Sequence, residues 1–398
     1  MHDTIVVGGG PIGSYVAYRL ADSSHSVSVL EMKSAAGEPV CCTGIVGQEC
    51  ADTFDIDDRV ILRRVNSASL YSPSGKRLYL RREEPQACIL DRAAFDKAMA
   101  DKAEGAGAEY HFNSRVRDIA IESDRATVTA LRQGKEYKIQ AKCVVIACGF
   151  SPGLLQRLGL GGFGDFAAGA QAEVTTPGNE EVEAYFGDMA PGFFAWLVPT
   201  GPTTARAGLL SRENPGRYLK MWLKELAAKG KITSAEAPLK YGGIPLKPLR
   251  RTYGERLIVA GDAAGQVKPT SGGGIYYGLI GADIAAGTLH QALADGDLSA
   301  KRLARYERGW RKRLGRELRT GYWARKLYER LSNEQIDRIF EIVKASGIDE
   351  ALLKAEDLSF DWHGKTIMRL LKYQMVAKTI GAVKIPVRAR LTDSSDID

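Results

Sequence analysis

The chain has 398 residues, enough for about two or three domains, and its formal net charge is +7 at pH 7. Its hydrophobic (44%) and charged (26%) fractions are those of an ordinary globular protein, and no run approaches the ~18 apolar residues of a membrane-spanning helix. The six cysteines lack C-x-x-C spacing and neighbouring histidines, so we expect no metal site, and we predict a cytoplasmic protein without a signal peptide.

The N-terminal segment has the pattern of a dinucleotide-binding β-α-β unit. An apolar run over residues 5–7 enters a glycine turn, a helical pattern leaves it, and the next apolar strand ends at Glu31. Gly8 allows the tight turn, Gly10 lets the backbone approach a pyrophosphate, and Gly13 lets the helix pack on the strand. Glu31 is placed to bind a ribose diol and disfavours a 2′-phosphate. The alternative is a glycine-rich structural turn.

Further along the chain, the periodicity predicts strands, one clear helix and a mostly β insertion. Strand patterns occupy residues 70–80 and 119–139, and a buried strand over 143–148 ends in a glycine. A helix is predicted over 92–106. Within the insertion, residues 167–250, the strand-like segments are 167–174, 181–186, 193–199 and 205–210. Residues beyond about 299 are predicted to be helical and basic, and the acidic tail 392–398 to be disordered.

These segments predict three units. A discontinuous nucleotide-binding domain takes residues 1–70, 91–160 and 254–298, a substrate-binding β domain takes 71–90 and 161–253, and a helical region takes 299–398. Residues 159–164 also match G-x-G-x-x-G. Since no apolar strand precedes that match and a strand pattern follows it, we interpret it as a loop rather than a second nucleotide site.

A second chemical signal is the pair Gly261-Asp262, at the end of the apolar strand over residues 257–260. A carboxylate in this position can bind the ribityl chain of a flavin. A helix that begins near Gly274 and Ile275 can aim its N-terminal amides at the pyrimidine carbonyls or at the pyrophosphate. The alternative is an aspartate that merely caps the following helix.

Two other segments have candidate binding surfaces. Phe194, Trp196 and Val198 share one face of a strand, so they would present one apolar surface to a pocket, although such a stripe is also typical of a core. The segment from Lys301 to Arg330 has twelve Lys or Arg and three Glu, a net charge of +9. It is either a solvated helical face or a surface that attracts anionic lipid head groups or an acidic redox protein. Without a nucleic-acid-binding motif, DNA or RNA is not an expected partner.

Several motifs together resemble the FAD-dependent oxidoreductases of the p-hydroxybenzoate-hydroxylase-like class, and within it the geranylgeranyl reductase family with its archaeal digeranylgeranylglycerophospholipid reductases. The resemblance rests on the opening motif with Glu31, Asp91-Arg92-x-x-Phe95-Asp96, Ala147-Cys148-Gly149 and Gly261-Asp262 with Pro269. Three further features are the cysteine-containing segment from Glu38 to Gly44, the segment from Pro191 to Pro199 and the basic helical C-terminus. The segment from Pro191 to Pro199 is similar to the family's P-x-x-Y-x-W-x-F-P, but Phe194 replaces its tyrosine and Val198 its second phenylalanine. The match extends over nearly the whole chain.

The resemblance implies an α/β fold: a Rossmann-like (GR2-type) FAD-binding domain, a mostly antiparallel substrate sheet and a C-terminal helical region. It implies FAD contacts at the adenosine end from Glu31 to the ribose and Val116 to adenine, and at the pyrophosphate from Gly8, Gly10, Ile12 and Gly13. Arg92 would lie near the ribityl phosphate, and Cys42, Thr43, Gly44 and Ile45 would lie along the cofactor. The flavin would be contacted by Gly261, Asp262, Gly274 and Ile275. For Arg92, the alternative is a surface ion pair with Asp91 or Asp96. Phe194, Trp196 and Val198 would bind substrate. Cys41 or Cys42 would contact the flavin or relay a proton, unless they only pack.

The implied reaction is the saturation of isoprenoid double bonds in lipids, with hydride delivered from N5 of reduced FAD. The implied partners are the lipid, an electron donor that is either ferredoxin-like or NAD(P)H, and, as an option, the anionic inner face of the membrane. Three alternatives stay open. They are a flavin monooxygenase or halogenase, an electron-transfer flavoprotein that docks to a membrane quinone, and a non-catalytic FAD-binding scaffold.

Overall fold

The computed structural model of the chain describes residues 1–355, 359–372 and 378, so the tail predicted to be disordered lies outside the described residues. The strands are β1 (His2–Val7), β2 (Val27–Leu30), β3 (Ile45–Gly47), β4 (Ile61–Val65), β5 (Ser67–Tyr71), β6 (Arg77–Arg81), β7 (Ala87–Leu90), β8 (Glu109–His111), β9 (Ser114–Ile121), β10 (Ala126–Arg132), β11 (Lys135–Ile146), β12 (Phe166–Thr175), β13 (Val182–Phe186), β14 (Phe194–Pro199), β15 (Thr204–Ser211), β16 (Lys240–Pro245), β17 (Tyr253–Gly254) and β18 (Leu257–Val259). The α-helices are α1 (Pro11–Asp22), α2 (Gln48–Thr53), α3 (Arg92–Gly105), α4 (Pro152–Arg157), α5 (Pro215–Ala228), α6 (Ile275–Ala294), α7 (Ala300–Tyr328), α8 (Asn333–Ala345), α9 (Ile348–Leu353) and α10 (His363–Lys372). Short 3-10 helices span Asp58–Val60 and Gly261–Ala264.

The first sheet is the Rossmann-like core, with strand order β17-β18-β11-β1-β2-β8. Four of the five pairings along this order are parallel, and the edge strand β17 pairs with β18 in the antiparallel direction. Alternate residues of β1 bury on opposite faces: Val6 packs with α1, α6 and α7, whereas Ile5 and Val7 pack with α4 and the antiparallel strands β9 and β10. Burial on both faces explains why the strands of this core read as continuous apolar runs.

The second sheet has the order β16-β12-β15-β14-β13-β5-β6 and is antiparallel except between β5 and β13. Helix α5 covers one face through Leu219, Trp222 and Leu223. The interpretation of residues 167–250 as mostly β therefore missed a helix, although those apolar residues have the helical spacing. The domain boundaries drawn from the sequence stay a prediction.

A small sheet, β3-β7-β4, lies between the two larger units and is followed in the chain by α3. The C-terminal region is helical, as predicted. Helix α7 packs on α6 through Leu303, Tyr306 and Trp310, while α8 and α9 cover β6 around Leu78. Residues 159–164 form a loop after α4, as predicted.

The predicted fold class, an α/β Rossmann-like domain with a mostly antiparallel sheet and a helical C-terminal region, is confirmed. In the part of the chain that the structure describes, no helix has both the length and the apolar character needed to cross a bilayer.

Candidate cofactor site

One large cavity, of about 790 Å³, lies between the carboxyl ends of the parallel strands and the second sheet. Open α/β sheets place ligands at this edge, and the volume is in the usual range for a cofactor pocket. Most of the residues predicted to bind cofactor or substrate line it: Gly8, Gly10, Ile12, Glu31, Cys41, Cys42, Thr43, Gly44, Ile45, Arg92, Val116, Trp196, Gly261, Asp262, Gly274 and Ile275. Gly13, Phe194 and Val198 are not among the lining residues.

The glycine turn between β1 and α1 is built as the pattern predicts. Gly8 has φ +106°, a conformation that residues with a side chain rarely adopt. A Cβ on Gly13 would overlap the carbonyl oxygen of Gly8, so the helix packs directly on the turn. Gly10 caps α1, and a Cβ there would meet no protein atom within 4 Å. The turn therefore leaves open space in front of the N-terminus of α1, which is where a pyrophosphate is attracted.

Glu31 is fixed at the end of β2. Its buried carboxylate accepts hydrogen bonds from the backbone amides of Gly9, at 2.7 Å, and Lys33, at 2.9 Å. Each oxygen is thus held by one amide and keeps a lone pair for a ribose hydroxyl. Val116 of β9, the predicted adenine contact, also lines the cavity.

Asp262, the predicted flavin contact, lines the cavity beside the start of α6, and this part of the cavity is called the flavin end below. A Cβ on Gly274 would overlap Oδ1 of Asp262, so the carboxylate lies directly on the N-cap of α6. Burial raises the pKa of Asp262 to about 6, and the charge of Arg92 opposes that shift. Across the described residues, no side-chain hydrogen bond compensates this carboxylate. A hydroxyl-rich chain such as the ribityl group supplies the missing donors, so the residues fit a flavin.

Arg92 is held in a buried ion pair with Asp96. The guanidinium donates to Asp96 at 2.8, 3.1 and 3.2 Å, while Asp91 instead caps α3 by accepting from the amides of Ala93 and Ala94. Burial raises the pKa of Asp96, and Arg92 opposes this shift. The alternative considered from the sequence was a surface ion pair of Arg92 with Asp91 or Asp96. Arg92 does pair with Asp96, but the pair is buried and Arg92 lines the cavity.

The segment from Cys41 to Gly44 is anchored by two strand residues that the sequence interpretation missed. Gln171 of β12 accepts from the Thr43 hydroxyl at 2.8 Å and donates to the Cys42 carbonyl at 3.3 Å. Arg206 of β15 donates to the carbonyls of Thr43, at 2.7 Å, and Leu90, at 3.1 Å. A polar residue within each of the largely apolar strands β12 and β15 was the only sequence feature that could have indicated this anchoring.

Replacing Arg206 with methionine is expected to weaken FAD affinity about tenfold or more, because two charge-assisted hydrogen bonds that hold the cysteine segment are lost. Titration of the apoprotein with FAD measures this loss. The matched control is Arg82→Met, which removes an arginine from outside the cavity and should leave FAD affinity unchanged. Equal affinity of Arg206→Met and wild type would contradict the anchoring role.

The aromatic strand reaches the cavity with only one of its three predicted residues. Trp196 lines the cavity, whereas Phe194 packs against the rings of Phe186 and Trp196. Val198 is buried beneath the small sheet in a cluster with Ile89. Other elements cover both ends of this strand face, so Phe194, Trp196 and Val198 share a face but do not form one continuous surface of the cavity.

Comparisons with known proteins agree with this geometry. Residues 82–217 match the family of FAD dependent oxidoreductases, and residues 6–40 match the NAD(P)-binding Rossmann-like domain. A digeranylgeranylglycerophospholipid reductase from Methanocaldococcus jannaschii is 30% identical over 363 residues, which cover 88% of this chain and 93% of that protein. A geranylgeranyl bacteriochlorophyll reductase-like structure from Thermoplasma acidophilum superposes with a TM-score of 0.84 at 24% identity, covering 96% of this chain and 99% of its own.

A halogenase structure in complex with FAD also shares the fold, with a TM-score of 0.69 and 14% identity, and covers 96% of this chain and 94% of its own. With the family match, the site defines an FAD-dependent oxidoreductase, and the predicted cofactor is confirmed. The chain belongs to the digeranylgeranylglycerophospholipid reductase family. At its level of identity, the halogenase supports a common fold and nothing more.

Proposed function

We propose that the protein saturates the carbon–carbon double bonds of geranylgeranyl chains carried by a glycerophospholipid. The observation that carries this proposal is an apolar wall beside the flavin end of the cavity. Trp196, Leu210 and Ile244, from strands of the second sheet, all line the cavity. A Cβ on Gly272, in the loop before α6, would lie 2.8 Å from Ile244 and 3.3 Å from Leu210. Apolar substrate chains can therefore pack next to the helix that faces the flavin.

When bound and reduced, FAD supplies hydride for the reaction. An isolated double bond has no polar group for the protein to polarise, so the chain contributes placement and exclusion of water. Trp196, Leu210 and Ile244 provide the dry surface. Although Cys41 is an exposed residue, partial desolvation of its thiol and the neighbouring Cys42 raise its pKa to about 11, so this thiol keeps its proton at neutral pH. That state suits the predicted role of a proton relay.

The reaction is tested with the FAD-loaded protein, reduced anaerobically with dithionite and mixed with a geranylgeranyl phospholipid. We expect the lipid to gain about 2 daltons per double bond by mass spectrometry. Trp196→Ala should slow the gain, whereas Tyr79→Ala, on an exposed residue of β6, should not. Unchanged lipid mass with every isoprenoid lipid offered would overturn the proposal.

We propose an external reductant as the source of electrons, and the two donors considered from the sequence are a ferredoxin-like protein and NAD(P)H. The two donors are distinguished by mixing the oxidised holoenzyme anaerobically with each donor separately. Bleaching of the flavin absorbance reports reduction directly. Bleaching by neither donor would contradict both assignments.

We further propose that one face of α7 contacts an anionic membrane surface. Lys301, Arg305, Arg308, Lys312, Arg316 and Arg319 are all exposed, and their spacing of three and four residues places them on a single stripe, the α7 stripe. The ion pairs of this helix use other cations, namely Arg302, Arg311, Arg325 and Lys326. Within the described ranges, the α7 stripe has no carboxylate partners.

The α7 stripe continues into Trp323, which is 47% exposed, and Met368 of the neighbouring α10 is 45% exposed. Exposed tryptophan beside cations is typical of interfacial anchoring. A Cβ on Gly321 would lie 3.2 Å from Pro269 and 3.5 Å from Thr270, so this end of α7 packs on the loop that lines the cavity. The combination favours a lipid surface over an acidic redox protein, since exposed apolar side chains lie beside the cations and the same helix packs on a loop of the cavity.

Charge reversal tests the contact. The triple variant Lys312→Glu, Arg316→Glu, Arg319→Glu is expected to bind phosphatidylglycerol vesicles ~100-fold more weakly, because each cation near an anionic surface contributes about 1 kcal/mol or more to binding. The control reverses Lys220, Lys224 and Lys229, exposed on and next to α5, with the same change in net charge. Flotation should show loss only in the α7 variant, and binding should fall with salt. Equal losses in both variants would refute the proposed face.

A further inference from the structure

A buried ion pair joins the flavin end of the cavity to the C-terminal region. Lys268 lies in the loop before α6, and Asp361 lies between α9 and α10. Their Nζ and Oδ1 atoms are 3.0 Å apart, and the side chains are 6% and 0% exposed. Both residues line the cavity. Sequence interpretation missed them because the partners are 93 positions apart in the chain and Asp361 belongs to no recognised motif.

The carboxylate of this pair is fully engaged by the protein. Besides Lys268, Asp361 accepts hydrogen bonds from the backbone amides of Gly47 and Cys50, each at 3.2 Å. The ammonium of Lys268 donates to Asp361 and, at 3.3 Å, to the carbonyl of Phe360. Considering the described residues alone, its third N–H has no hydrogen-bond acceptor. The cation is therefore the member of the pair with capacity left for a ligand in the cavity.

The backbone places this cation beside the start of α6. The amide of Lys268 donates to the carbonyl of Gly273 at 3.0 Å, and the amide of Gly272 donates to the carbonyl of Lys268 at 2.9 Å. Gly274 is the N-cap of α6 and contacts Asp262, which marks the flavin end. The ammonium itself lies 5.5 Å from the ring centroid of Tyr277, in the first turn of α6, so the cation lies near the positive end of the helix dipole.

We propose that Lys268 compensates the negative charge of reduced FAD and that Asp361 is its positioning partner. Reduction adds two electrons from the external donor and one proton from solvent to FAD, and leaves an anion on the flavin ring. A fixed cation next to this anion stabilises the reduced form over the oxidised form. Burial lowers the pKa of Lys268, and Asp361 opposes this shift, so the carboxylate helps to keep the ammonium charged.

The reduction potential of the FAD-loaded protein tests this role without any lipid. In Lys268→Met, we expect affinity for reduced FAD to fall at least tenfold relative to oxidised FAD, which for two electrons lowers the midpoint potential by ~30 mV. Lys268→Arg should keep the wild-type potential. Arg117→Met is the matched control, because Arg117 also lines the cavity but lies on β9 beside the adenine contact, so its potential should not change. An anaerobic titration against a reference dye measures all four proteins.

Lys268→Met leaves Asp361 buried without its cation, which is destabilising. The double variant Lys268→Met, Asp361→Asn removes both charges and is expected to lower the potential as well, by less than the single variant. An unchanged potential in both variants would overturn the proposal. So would a folded protein that no longer binds oxidised FAD in either variant, since Lys268 would then serve binding itself. Because no lipid is present, these outcomes are independent of the proposed substrate.

Discussion

Gly13→Ala is expected to destabilise the apoprotein and to abolish FAD binding. A Cβ at this position would overlap the carbonyl oxygen of Gly8, and a backbone atom cannot rotate away as a side chain can. Helix α1 would have to move off the turn, at a cost of about 1–3 kcal/mol or more. The displacement would also withdraw the helix N-terminus from the pyrophosphate. Thermal unfolding of the apoprotein and titration with FAD measure the two effects.

Two other glycines provide matched controls for this result. Gly10→Ala should leave the melting temperature of the apoprotein unchanged, because no protein atom lies within 4 Å of the added carbon, but it should weaken FAD binding by obstructing the cavity. Gly105→Ala, at the end of α3, also meets no neighbour and should be neutral or slightly stabilising. Wild-type stability and affinity in Gly13→Ala would contradict the assignment of the turn.

Asp262→Asn is expected to stabilise the apoprotein at pH 7.5 while weakening FAD binding tenfold or more. The wild-type carboxylate is half-buried and has no compensating hydrogen bond from the described residues, and desolvation raises its pKa to about 6. Ionisation therefore costs the folded apoprotein on the order of 2–3 kcal/mol, which a neutral amide avoids. Affinity falls because the charged acceptor for the ribityl hydroxyls is lost.

The pH dependence distinguishes this effect from a general stabilisation. The folded state binds the proton of Asp262 more tightly than the unfolded state, so the wild-type apoprotein loses stability as pH rises from about 4 to about 6. The advantage of Asp262→Asn should grow over this interval and then stay constant. Asp165 is the control, because Arg212 and its neighbours lower the pKa of its carboxyl to about 2. Asp165→Asn should therefore have the opposite effect and destabilise the apoprotein at pH 7.5. A constant advantage of Asp262→Asn at every pH would refute the account.

Local periodicity explains why the dinucleotide end of the site could be predicted. The strand, the glycine turn, the helix and Glu31 are consecutive in the sequence, and each is set by interactions within about 30 residues. Helix α5 was missed because the strand-like segments of residues 167–250 led to the whole insertion being interpreted as mostly β. Strand β3, only three residues long, has too little periodicity to be detected.

Long-range contacts explain what could not be predicted. Periodicity shows that Trp196 and Val198 share a face, but only the tertiary structure shows that the small sheet covers Val198. Arg206 and Asp361 reach the site from distant elements, and neither belongs to a local motif. Their roles depend on which backbone groups the fold brings within hydrogen-bonding distance.

A single turnover tests the central claim most directly. The holoenzyme, reduced anaerobically with one equivalent of dithionite and freed of excess, is mixed with a geranylgeranyl phospholipid while the flavin absorbance and the lipid mass are followed. Return of the oxidised flavin spectrum, with one double bond lost per flavin reoxidised, is the result that this structure leads us to expect. Flavin that stays reduced beside unchanged lipid, and reoxidises only when oxygen is admitted, would contradict it.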